Sequence, residues 1–231
     1  MEYRIDKDSL GEVKIPKDAY YGPFTARAIE HYNVTGLKMH EKMIKAFVMI
    51  KRSAALANMD LNKLDKDKGN AIVKACDEIL NGKLLDQFKV DAINSGAGTA
   101  FNMNVNEVIA NRALEILGNK KGEYNIIHPN DHVNMSQSSN DTFPSAMHIA
   151  ALLDIKELMP VIEDLIITLN TKSKEFNDII KIGRTHLMDA LPVTLGSEFK
   201  AYATAIERAK KELESANELL KYIPLGGTAV G

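Results

Sequence analysis

Apolar residues recur at helical spacing along most of the chain. Ile44, Phe47, Val48, Lys51 and Ala55 follow the i, i+3, i+4 rule and predict one helix. A second is expected from about Asp65, a suitable N-cap, to Leu80, with Gly82 just past its end. A third begins after Gly96-Ala97-Gly98-Thr99, carries Val105, Val108, Ile109, Ala113 and Leu117 on its apolar side, and stops at Gly118. Pro144 suits a first helical position, and the near-heptad stripe Leu152, Ile155, Leu158, Ile162, Leu165, Leu169 follows it. Pro160 lies inside that stripe and is expected to bend or locally disrupt the helix. Pro192 is expected to open a further helix along Phe199, Tyr202, Ile206, Ala209, Leu213 and Leu220. Short extended segments are expected only near Ile15 and around Val90. The pattern predicts an all-α, mainly helical fold. A loop-rich segment gives way to long helices near Met135, which suggests an N-terminal helical domain over residues 1–136 and the first long helices of a central helix bundle over 137–231.

The 231 residues suffice for a real apolar core, and 45% hydrophobic with 26% charged is ordinary for a globular protein. Lysine and arginine total 29 against 31 aspartates and glutamates, so no basic excess points to nucleic acid. No apolar run reaches the roughly 18 residues of a membrane span. The start, Met1-Glu2-Tyr3-Arg4-Ile5-Asp6-Lys7-Asp8, has no apolar signal core, and a cytoplasmic protein is expected. The one cysteine, Cys76, excludes an internal disulfide and shares a helical face with Ile72, Ile79 and Leu80, as a core residue would.

Three polar segments interrupt the helices. In Gly96-Ala97-Gly98-Thr99 the glycines allow close backbone approach, and the helix that follows presents free N–H groups with a Thr99 hydroxyl beside them. That suits a carboxylate, although a plain glycine turn with a threonine cap has the same look, and the lysine of a phosphate-binding loop is missing. The run from His128 to Thr142 is almost entirely hydrogen-bonding groups. His128 and His132 would make a metal pair on a continuous helix, but Pro129 between them argues against one, so no metal is expected. Gly183-Arg184-Thr185-His186-Leu187-Met188-Asp189 breaks the pattern between two long apolar helices, where bundle proteins place site residues.

Taken together these segments resemble the fumarase/aspartase superfamily. Gly98-Thr99 followed by Asn102-Met103-Asn104-Val105-Asn106-Glu107-Val108 resembles the first signature of class II fumarases and aspartases, and Ser136-Gln137-Ser138-Ser139-Asn140-Asp141 the second. Gly183-Arg184-Thr185-His186-Leu187 with Asp189-Ala190 resembles the segment that supplies a substrate-site histidine, and Gly226-Gly227-Thr228-Ala229-Val230-Gly231 resembles a further family stretch. The resemblance covers essentially the whole chain, but family members are about twice as long. Nothing here matches their mobile Gly-Ser-Ser loop with its catalytic serine, or the lysine and asparagine that follow it. A truncated or cleaved product is therefore expected.

The resemblance implies a lyase that removes a proton next to a carboxylate and stabilises the resulting dianionic aci-carboxylate. It implies substrate binding by Thr99, Ser138, Ser139, Asn140 and Thr185, a catalytic role for His186, and a second dicarboxylate site at His128, Asn130 and Asp131. The arginine usual in that second site is not matched, since Ile126 and Ile127 stand there. It further implies a small dicarboxylate substrate, no cofactor, and a homotetramer. Ser138-Ser139-Asn140-Asp141-Thr142-Phe143-Pro144 and Leu225-Gly226-Gly227 look more like fumarases, which favours reversible hydration of fumarate to malate. Ala97 and the opening Ile15-Pro16-Lys17-Asp18-Ala19-Tyr20-Tyr21-Gly22 look more like aspartases, so aspartate ammonia-lyase is the alternative; Met188 departs from both. A catalytically incompetent, oligomerising fragment is a third possibility.

Overall fold

The computed structural model describes residues 2–229. The chain is mainly helical, and among the described residues its strands form only two two-stranded sheets. It divides into two compact units, Met1–Ala150 with Ile223–Gly231, and Ala151–Tyr222. The division falls within a long helix rather than at the loop-to-helix change near residue 136.

The first unit opens on an antiparallel hairpin, β1 (Tyr3–Asp8) and β2 (Gly11–Pro16), registered from Tyr3↔Pro16 to Asp8↔Gly11. The strand signal near Ile15 is thus realised in β2, whereas Val90 is flanked only by an isolated bridge between Lys38 and Asp91. Helices α1 (Pro23–His31), α2 (Glu41–Asp60), α3 (Lys66–Leu80) and α4 (Thr99–Ile116) follow. A 3-10 turn, Leu85–Gln87, precedes α4, and a π-type turn, Pro129–Val133, comes after it. Asp65 caps α3 as expected, accepting from the Asp67 and Lys68 amides at 3.0 and 3.1 Å.

Most of α4 is buried, which is why its apolar periodicity is weak: Asn102, Asn104, Asn106, Glu107 and Asn111 are as deeply enclosed as Val105 and Ile109. Buried polar side chains need partners, and here they tie down other segments. The Glu107 carboxylate accepts from the backbone N–H groups of Gly22, Phe24 and Thr25 at 2.8–3.0 Å and so caps α1 from outside. Gly22 is needed there, because a Cβ would run into Tyr124 and Glu107. Asn111 donates to the Tyr20 carbonyl and accepts from the Gly122 amide. The apolar core between these helices centres on Phe47, Phe88 and Phe101 with Ile72, Ile79, Ile109 and Leu114. Cys76 belongs to it; burial pushes its thiol well above the usual range, the inert state expected of a core cysteine.

Helix α5 runs from Ser139 to Glu175. It begins five residues before Pro144 and continues through Pro160, which neither ends nor divides it. Between α5 and α6 (Leu195–Leu219) the second unit contains a hairpin of β3 (Ile180–Thr185) and β4 (Met188–Thr194) that was not expected from the sequence. Pro192 therefore lies in β4, paired with Ile182, and the helix start it was expected to mark belongs to Thr194, whose hydroxyl accepts from the Ser197 amide at 3.1 Å. Proline fits this position because a two-stranded ribbon consists of edge strands.

Candidate active site

The starts of α4 and α5 meet in the first unit. Gly98 precedes α4 with a left-handed φ of +70°, and a Cβ there would collide with the Phe143 ring. Two features thus require glycine: the backbone conformation, and the close approach of α5. Phe143 also stacks edge-on against Phe47, with ring centroids 5.6 Å apart, so the contact is anchored in the core. One turn into α4, Asn102 donates to Ser139 Oγ at 3.1 Å and to Asn134 Oδ1 at 3.2 Å, and its own Oδ1 accepts from the Thr142 hydroxyl at 3.4 Å. Thr99 occupies the first position of α4 and is exposed. Ser95 Oγ accepts from the Ala100 amide at 3.1 Å.

Ser138 begins α5 with a reciprocal cap. Its Oγ accepts from the Asn140 amide at 3.3 Å, while Asp141 Oδ1 accepts from the Ser138 amide at 2.9 Å. The other Asp141 oxygen accepts from the Gly226 amide at 3.0 Å, drawing the end of the described chain to the same place. The family-like stretch from Gly226 is described only to Ala229; Val230 and Gly231 lie outside the described residues. Ser138 and Ser139 are half-buried and Asn140 is exposed, and because both serine oxygens accept, their hydroxyl protons remain to donate. The first turns of α4 and α5 thus meet through Asn102, Ser139 and Thr142, and the positive end of each helix dipole lies at its start.

Beside it lies an open cleft of about 830 Å³ lined by Asn130, Asp131, Asn134, Met135, Ser136, Gln137, Ser138, Thr228 and Ala229. Asn130 and Asp131, two of the expected second-site residues, share this cleft with Ser138. His128 does not; it lines a separate cavity of about 420 Å³ with Lys7, Asp8, Phe24, Glu107 and Tyr124 among its neighbours. His128 Nδ1 accepts from the Asn130 and Asp131 amides, both at 3.2 Å, and so caps the π-type turn. His132 Nδ1 accepts from the His128 amide at 2.8 Å, and burial with the nearby Lys68 ammonium lowers its basicity. Both imidazoles thus serve the turn's own backbone. Among the described residues no group of three or more His, Cys, Asp and Glu could hold a metal ion.

Thr185 and His186 belong to the second unit. Thr185 ends β3 and pairs with Met188, leaving His186 and Leu187 as a two-residue turn with φ of +47° and +63°. Both dihedrals lie in the left-handed region that such a turn demands, where asparagine and glycine are the usual occupants. His186 is exposed and Leu187 is 95% exposed, so this strained turn presents its side chains outward.

The residues that hold the first-unit site in place were not singled out in the sequence. Lys51 is fully buried on α2 and donates to Asn134 Oδ1 at 2.7 Å and to Gln137 Oε1 at 3.0 Å. Burial pulls its ammonium down to about 7, against the opposing pull of the Asp141 carboxylate. A lysine within an otherwise apolar stripe was the available signal.

Residues 11–231 match the model of a family described as Lyase. The chain belongs to this lyase family. The resemblance to fumarases and aspartases read from the motifs is borne out. The chain is 53% identical to the aspartate ammonia-lyase of Bacillus subtilis over all of its length and 48% of that protein's. It is 50% identical to the class II fumarate hydratase of Campylobacter jejuni over all of its length and 50% of that protein's. A solved structure described as fumarate lyase:delta crystallin, from Brucella melitensis, superposes with a TM-score of 0.93 at 46% identity, covering 98% of this chain and 53% of that one. The lyase chain thus spans about half the length of the relatives it matches. Among its described residues, no helix is long and apolar enough to cross a membrane.

Proposed function

We propose that the complete polypeptide carrying this chain is a fumarate hydratase, which interconverts fumarate and malate through an aci-carboxylate intermediate. The observation that carries this reading is the meeting of the α4 and α5 N-termini, where Asn102 of α4 donates to Ser139 Oγ and the Ser138 and Ser139 hydroxyl protons remain to donate. Removing the proton next to a carboxylate leaves that carboxylate dianionic, and donors fixed in advance stabilise the added charge most effectively. Thr99, Ser138 and Ser139 take this part, and the Asn140 amide helps bind substrate. Thr185 and His186 hold the other carboxylate or the leaving group, and the strained, outward-facing turn at His186 supports a functional reading. The base, on the family resemblance, is a serine outside this chain. Asn130 and Asp131 form a second dicarboxylate site with His128 as the residue that shapes its turn.

The serine pair Ser138-Ser139 and the Gly226-Gly227 segment favour the hydratase. The 53% identity to an aspartate ammonia-lyase favours the second reading, deamination of aspartate to fumarate; the chemistry up to the intermediate is shared. The proposal extends to a homotetrameric, cytoplasmic enzyme in which α5 and α6 contribute to a helix bundle shared between subunits. Following fumarate absorbance with malate or aspartate as substrate tests it. Fumarate is expected from malate with no added metal or nucleotide. Product from aspartate and none from malate would replace the hydratase by the ammonia-lyase. The 231-residue chain by itself, without the serine base, is expected to show no turnover above background, since loss of a general base typically costs about 10²–10⁴-fold.

A further inference from the structure

The loop from Asn134 to Ser138 carries the donors of α5 but little regular structure, and Ser136 within it has a left-handed φ of +61°. What fixes it comes from below. Asn134 Oδ1 accepts from both Lys51 Nζ and Asn102 Nδ2, and its amide donates to the Gln137 carbonyl at 3.2 Å. Gln137 Oε1 accepts from the same ammonium, and its own amide donates to the Val133 and Met135 carbonyls at 3.2 and 3.1 Å. The Lys51 ammonium, fully enclosed, is thus the group that joins both side chains folding the loop back on itself. The charged and titratable groups that act on it are Asp141 on α5 and Cys76 on α3. A buried lysine is costly to keep, and a neutral apolar residue on this stripe would pack without that cost.

We propose that Lys51 is a positioning residue of the site, whose Nζ donates to Asn134 and Gln137 and so sets the loop that presents Ser138 and Ser139 to the substrate carboxylate. Its catalytic consequence rests on the functional reading above, whereas its effect on the loop does not. Two measurements on the complete enzyme separate them. The first is amide hydrogen exchange at Asn134, Gln137 and Ser138, whose N–H groups bond to the Pro129 carbonyl, the Asn134 carbonyl and Asp141 Oδ1. In the unmutated enzyme these amides should be as protected as those of α2, because the loop is tied to it. In Lys51→Met they should exchange at least tenfold faster while α2 and α3 keep their protection. The second is kcat/KM of the folded enzyme, expected to fall at least tenfold in the same variant.

A folded Lys51→Met enzyme with unchanged loop exchange and unchanged kcat/KM overturns the proposal. So does a melting temperature lowered with normal turnover of the folded fraction, which is what a merely structural lysine predicts. Should Lys51→Met not fold, the unmutated enzyme decides: loop amides that open independently of α2 overturn the proposal, and amides that open together with it support it. Should the unmutated enzyme act on neither malate nor aspartate, the functional reading fails, and the loop exchange still settles the positioning role.

Discussion

Lys51 has a basicity lowered in the folded state by burial, to about 7, while in the unfolded chain it is that of an ordinary lysine. Between those two values the unfolded state binds more protons than the folded one, so stability rises with pH across that window and falls as pH drops towards 7. The slope attributable to one such group is up to about 1.4 kcal/mol per pH unit. Urea unfolding at pH 7, 8 and 9 should show that rise in the unmutated protein and a flatter dependence in Lys51→Met; equal slopes would mean that the lysine is not charged differently in the two states. The sequence placed Lys51 at a helical core position but gave no sign of its partners, which lie 83 and 86 residues further along. His186 is the converse case. Its motif was legible, but the left-handed turn that displays it was not, because His-Leu is not a usual turn pair. His186→Asn keeps a residue that tolerates positive φ at an exposed position, so the melting temperature should stay within about 2 °C. In the complete enzyme kcat/KM should fall about ten- to hundredfold, the loss expected for a charge-assisted hydrogen bond. Near-normal kinetics would remove His186 from the site.

At the level of elements, helices in the first unit were legible wherever a cap and a stripe agreed. For α3, Asp65, the apolar face and Gly82 all pointed to the same bounds, and Asp65→Ala should lower stability by about 1 kcal/mol in urea unfolding. No change would show that the Asp67 and Lys68 amides find water as readily as the carboxylate. Proline was the less dependable signal. The expectation that Pro144 begins a helix overlooked the reciprocal cap of Ser138 and Asp141, which starts α5 earlier. Pro192 was assigned to a helix because the apolar pattern resumes near it, whereas Ile182 and Pro192 face one another across a ribbon whose strands are exposed on both sides. Such strands lack the alternation of buried and exposed residues that makes a strand visible in a sequence. The site motifs were legible as motifs, since each sits at a helix start or a turn where polar residues interrupt the pattern. The scaffold beneath them, Asn102, Asn134, Gln137 and Asp141, works through contacts between distant segments and could not be read from spacing.

On the scale of the whole molecule, the second unit exposes much apolar surface: Val161, Leu165, Ile167, Leu191, Tyr202 and Leu219 are each 45% or more exposed. Apolar surface left exposed to water favours association. The isolated 231-residue chain should therefore self-associate or bind an apolar-surface dye in sedimentation and fluorescence measurements, and a well-behaved monomer that binds no dye would contradict a role for α5 and α6 in a bundle shared between subunits. In the first unit, the converging starts of α4 and α5 are proposed to form a carboxylate site. A crystal structure of the complete enzyme with bound malate tests it most directly. One malate carboxylate is expected within hydrogen-bonding distance of Thr99, Ser138 and Ser139; a malate held with none of these three within reach would overturn the assignment of the site.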